Sequence, residues 1–93
     1  MTLLQCRYLV EIARHTSLSQ AAEALFLTQP SLSRAIHAME EEFHIRILAR
    51  SSRGVMLTQE SEELLFYARI LLEQEAAAFW DALQEVMREL GKD

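Results

Sequence analysis

Residues 19–39 read SQAAEALFLTQPSLSRAIHAM. A short Ala-rich stretch, a turn of about three residues and a second helical stretch have the spacing of a helix-turn-helix. Ser19 is a good N-cap, which predicts a helix from about Gln20 to Phe26. Ala22 falls where the two helices cross and only a small side chain fits, and Leu25, Leu27, Leu32 and Ala35 hold the angle. Leu27-Thr28 reads as the turn, with Thr28 capping the next helix. Pro30 then lies in a first turn, where its missing N–H costs nothing. This second helix continues to about Phe43. Leu32, Ile36, Met39 and Phe43 make its inner stripe, while Pro30, Arg34, His37 and Glu41 point the opposite way.

Upstream, Thr2 and Gln5 form a capping box for a helix from about Leu3 to His15. Cys6, Leu9, Ile12 and Ala13 recur on its buried face. Downstream, Ile45, Ile47 and Leu48 are β-prone up to Arg50, Ser51 to Gly54 is a turn, and Val55 to Leu57 is a second short strand. Together they make a small hairpin, or wing. Thr58 caps a last helix, about Gln59 to Leu90, with Glu60, Glu62 and Glu63 near its positive end. At ~1.5 Å per residue it spans roughly 48 Å, too long to pack wholly on so small a domain. One Pro and two Gly fit a mainly α chain: three helices and a hairpin in residues 1–58, then a long linker or dimerisation helix and short tail in residues 59–93.

The exposed start of the third helix displays Thr28, Gln29, Pro30, Ser31, Ser33 and Arg34, with no acid. Gln pairs bidentately with adenine, Arg with guanine, and Ser bonds phosphate or a base edge, so this face suits a DNA major groove. The net charge of −5 argues against a nucleic-acid binder until its distribution is read. Residues 1–58 carry six Arg and five acids, a balance of +1, whereas residues 59–93 carry three basic and nine acidic residues, a balance of −6. The acidity belongs to the last third.

The run SLSQAAEALFLTQPSLSRAIHAMEEEFHIRILARSSRGVMLTQESEELL, with Leu3 onward before it, resembles the N-terminal domain of LysR-type transcriptional regulators. TQPSLSR, Glu40, Arg50 and Leu57-Thr58 all fall in register with that family's pattern. The resemblance implies a winged helix-turn-helix that binds double-stranded DNA at a partly palindromic operator. It places Gln29, Pro30, Ser33 and Arg34 in the major groove, Thr28 and Ser31 on phosphates or flanking base edges, and Arg50 and Arg53 of the wing on the backbone or minor groove. It also implies a homodimer through the long helix, with a tetramer open to a full-length protein. A C-terminal effector domain of two α/β lobes would begin just beyond residue 93, so the chain is expected to be a piece of a longer protein. A small-molecule effector is implied only if that domain exists. The family often has Gly where this chain has Thr16, His44 and Ser61, and Phe where it has Leu48, which puts local turn geometry in question.

The long helix carries its own signal. Leu65, Leu72, Phe79 and Val86 are seven apart, and Ala76, Leu83 and Leu90 fill alternate positions, a coiled-coil-like stripe that predicts the dimer interface. Leu64 to Leu72 is apolar nearly all round, which predicts burial on both sides, against its own domain and a partner.

Other functions find little support. His15, His37 and His44 are scattered and match no metal-site spacing. Catalytic triads and phosphate loops are missing, so neither an enzyme nor a cofactor is expected. The single Cys6 suits a packing role and a reducing compartment, and no apolar run approaches a membrane span, so the expected location is cytoplasmic. A protein-interaction module is the rival reading, but its third helix would expose Leu, Phe or Trp. An RNA binder would need an aromatic platform. Among DNA binders, the molybdate-responsive regulators are the nearest alternative, and TQPSLSR favours the LysR type.

Overall fold

The computed structural model describes residues 1–52 and 54–91. Its elements run α1 (Leu3–Arg14), α2 (Leu18–Ala24), α3 (Gln29–Phe43), β1 (Leu48–Ser51), β2 (Gly54–Leu57) and α4 (Gln59–Leu90). The capping box of α1 is present, with Thr2 and Gln5 exchanging bonds of 2.9 and 3.1 Å. Gln5 Nε2 also donates to Glu42 Oε2 at 3.0 Å, tying the start of α1 to the end of α3.

The second helix begins two residues before its expected start. Ser17, not Ser19, is the N-cap, and its hydroxyl accepts from the Gln20 N–H. Either serine can cap locally. The earlier start lets Leu18 pack against the core and leaves Ser19 exposed on the helix surface. The helix then ends in a Schellman turn: the Leu27 N–H reaches Ala22 O at 2.8 Å and the Phe26 N–H reaches Glu23 O at 3.1 Å. The left-handed position of that turn belongs to Phe26, with φ +59°, where glycine is usual.

Thr28 caps α3 as expected, and α3 ends at His44 in the left-handed conformation (φ 58°, ψ 39°). His44 thus meets the backbone demand that glycine would meet, and Phe26 and His44 are the non-glycine residues with positive φ among the described residues. Thr16 has no such conformation. Its carbonyl instead crowds Gly54: a Cβ added to Gly54 would lie 2.9 Å from Thr16 O, and Gly54 itself has φ +107°.

The wing is a two-stranded antiparallel hairpin pairing Leu48 with Leu57 and Arg50 with Val55. It starts later than expected because Ile47 has other duties. Its side chain is fully buried, its N–H donates to Glu40 Oε2, and its carbonyl accepts from the Thr58 N–H.

Cys6, Leu9 and Ile12 of α1 meet Ala21, Ala22, Leu32, Ile36, Met39, Ile47, Leu65 and Ala68 in one core. Burial raises the Cys6 thiol pKa above its ordinary value. Ala13 lies exposed, contrary to its expected place on the buried face, because the stripe follows Cys6, Leu9 and Ile12 instead. The core runs across residue 58, with Ser61, Leu65 and Ala68 of α4 buried in it and Leu72 packed at its edge. The expected division at residue 58 is therefore not a boundary in the packing. Beyond Leu72 every described residue of α4 is exposed, and the molecule extends 61 Å along its long axis against 24 and 21 Å across.

Candidate nucleic-acid interface

The start of α3 is a polar platform whose side chains are held in place. The Thr28 hydroxyl accepts from the Ser31 N–H at 3.2 Å and donates to Ser31 Oγ at 2.9 Å. Arg34 Nη2 donates to the same Ser31 hydroxyl at 3.3 Å, so the guanidinium is steadied along the exposed helix face. Ser19, on α2, donates to Gln29 Oε1 at 2.7 Å. That bond engages the amide oxygen of the exposed Gln29, and its amide N–H groups donate to no partner among the described residues. Sequence reasoning assigned Ser19 to a cap and missed this role. The signal was present in the choice between two serines, but only the packing of Leu18 resolves it. Thr28, Gln29, Pro30 and Arg34 are exposed, and Ser31 and Ser33 are half-buried.

Electrostatics favour an anion on this face. The first turn of α3 holds no acid, and its N-terminus carries the positive end of the helix dipole. Arg34 forms no ion pair among the described residues. The acids of α3 lie at the far end, and two of the three are engaged. Glu40 is turned inward, with its side chain 15% exposed, accepting from the Ile47 N–H at 2.7 Å and lying 3.3 Å from His37 Nδ1. Glu42 accepts from Gln5.

Arg50 lies exposed on β1. With Ser33 and His37 it lines a groove of about 350 Å³ between α3 and the hairpin, floored by Leu18, Ile36 and Leu48. The structure thus brings Arg50 to the side of the platform. Arg53 lies outside the described residues. Arg46 is exposed, 4.0 Å from Glu40 Oε2. The three histidines do not converge: His15 pairs with Glu11 at 3.2 Å, His37 with Glu40, and His44 caps α3. No cluster able to hold a metal ion exists among the described residues.

The residues expected to form the dimer stripe separate into two groups. Leu65 is 7% exposed in the chain's own core, and Leu72 sits half-buried at its edge. Ala76, Phe79, Leu83 and Val86 are exposed, and Phe79 is 68% so. The expectation that residues 64–72 are covered by their own domain on one side matches the burial of Leu65 and Ala68, while Phe66, Tyr67, Ile70 and Leu71 face outward.

A short helix, a tight turn and a second helix, backed by α1 and flanked by a hairpin, define a winged helix-turn-helix DNA-binding domain. The chain belongs to the LysR family: the model of the bacterial regulatory helix-turn-helix protein, lysR family, matches residues 3–62. Among its relatives is the SDS degradation transcriptional activation protein of a Pseudomonas species, 43% identical over 75 residues, which are 81% of this chain and 24% of that protein. The nitrogen assimilation regulatory protein nac of Klebsiella aerogenes is 39% identical over 74 residues, 80% of this chain and 24% of that protein. The chain thus spans about a quarter of the length of these curated relatives. Among solved structures, the BenM DNA-binding domain bound to catB site 1 DNA superposes with a TM-score of 0.78 at 33% identity, covering 100% of both chains. The CbnR DNA-binding domain in complex with DNA has a TM-score of 0.79 at 28% identity, covering 92% of this chain and 99% of that one. The chain is therefore a LysR-type helix-turn-helix DNA-binding domain of the transcriptional-regulator class. By name, the two curated relatives are a transcriptional activation protein and a regulatory protein.

Proposed function

We propose that this domain reads a partly palindromic operator as a homodimer, with the start of α3 in the major groove of each half-site. The observation that carries the reading is the acid-free platform in which Ser19 orients Gln29 and Ser31 steadies Arg34. Gln29 and Arg34 then read base edges, and Pro30 and Ser33 pack against the groove beside them. Thr28 and Ser31 hold phosphates or flanking edges at the helix N-terminus. Arg50 of β1, together with Arg53, reaches the backbone or the minor groove. Two copies join through the free part of the α4 stripe, at Leu72, Ala76, Phe79, Leu83 and Val86, and a tetramer is open to a longer protein. Such a regulator works in the cytoplasm, and it answers a small-molecule effector where an effector domain follows.

Binding-site selection with the purified chain tests this reading, and Arg34→Ala is the sharpest variant. Loss of one bidentate contact costs about 1–3 kcal/mol and relaxes the preference at one base pair per half-site. A selected sequence identical to that of the parent would remove Arg34 from base reading.

A further inference from the structure

The junction between α3, the wing and α4 is built around one residue. The Ile47 side chain is fully buried. Its N–H donates to Glu40 Oε2 of α3 at 2.7 Å. Its carbonyl accepts from the Thr58 N–H at 2.9 Å and from the Ser61 hydroxyl at 2.8 Å, and that hydroxyl's one proton is shared with the Thr58 carbonyl at 2.9 Å. Thr58 caps α4 through the Ser61 N–H, and its hydroxyl also donates to the Arg46 carbonyl. Ser61 is the fully buried polar side chain of the described residues, and no buried side-chain polar atom among them lacks a partner. The reading helix and the pairing helix are thus joined by directed hydrogen bonds through a single peptide segment.

We propose that Ser61, acting with Thr58 and Glu40, is a positioning residue that fixes the angle between α4 and α3 and so sets the half-site spacing the protein accepts. The proposal rests on the reading of the chain as a dimer on paired half-sites. Apolar packing of Leu65 and Ala68 in the core is non-directional and tolerates small rotations, whereas hydrogen bonds weaken steeply off axis. Leverage makes a small rotation matter. Phe79 lies about 27 Å along α4 from Ser61, so a tilt of about 10° at the base moves it by about 5 Å. One base pair advances the duplex by only about 3.4 Å. A dimer accepts half-sites whose separation matches its two reading helices, and a looser base lets that separation vary.

The test uses the full 93-residue chain and duplexes carrying one selected half-site, either alone or paired at stepped spacings. The parent is expected to prefer one spacing. Ser61→Ala should reduce the affinity ratio between that spacing and one a base pair longer at least three-fold. Its affinity for a lone half-site and its base preference should match the parent's. Ser61→Gly, which removes the side chain without adding an apolar group to the buried site, should do the same and serves if the alanine variant folds poorly. A spacing ratio equal to the parent's in the folded variants overturns the clamp. Equal loss on lone and paired half-sites overturns it too, because it marks a merely structural serine. A parent that binds paired and lone half-sites alike fails at the earlier step and overturns the dimer reading itself, and the clamp with it.

Discussion

The two halves of α4 follow one spacing rule and meet different fates. From Ser61 to Leu72 the stripe turns into the core, with Leu65 and Ala68 buried beside Cys6, Leu9 and Ile12 of α1. From Glu73 to Leu90 the same helix carries Phe79, Trp80, Leu83, Val86, Met87 and Leu90 into the open. Soluble monomers rarely leave so continuous an apolar face bare, so the contrast separates residues that hold the fold from those the proposed dimer would use. An apolar period states that a face wants covering. It does not state what covers it.

Breaking the inner half should have the largest effect. Leu65→Ala removes a side chain buried to 7% exposure, and the unfolding free energy should fall by about 2–5 kcal/mol in denaturant titration. A drop under about 1 kcal/mol would show that the inner half is not the anchor of the core. The outer half should respond in association instead. Replacing Phe79 and Val86 together with Asp sets like charges against each other across a two-fold interface. Sedimentation should then show a folded monomer, and affinity for a paired half-site should fall by about 100-fold through loss of the tethered second contact. A parent that sediments as a monomer at high micromolar concentration would dissolve the contrast. The border residue gives the smallest effect and the finest discrimination. Leu72 touches the core and begins the free stripe, so Leu72→Ala should cost about 1 kcal/mol of stability and also weaken dimerisation. An effect on only one of the two would move the boundary to one side of Leu72.

Much of the fold was legible because its signals are local. Thr2 with Gln5, Thr28 with Pro30, and Thr58 each mark a helix start through a side chain three residues from the N–H it caps. The left-handed end of α3 was foreseeable at His44, a position where the family pattern often has glycine. The errors arose where two local solutions compete. Ser17 and Ser19 cap equally well in isolation, and Ala13 and Val10 both border the α1 stripe. Ile45 and Ile47 read as strand because they are β-branched and apolar, yet Ile47 is drawn out of the ladder by Glu40 and Thr58. Phe26 gave no warning of its left-handed backbone or of its 96% exposure, since no side chain of its type favours either.

The amino-acid sequence by itself determined the helix order, the caps, the hairpin and the polar, acid-free face at the start of α3. Cap chemistry, apolar period and charge placement act over a few residues, so they can be read from neighbours in the chain. Tertiary structure alone decided that Ser19 orients Gln29, that Glu40 turns inward to Ile47, and that α4 divides near Leu72 into an anchored and a free half. Each of these depends on groups ten, seven or more than fifty residues apart being brought within contact distance, and only the packed core does that.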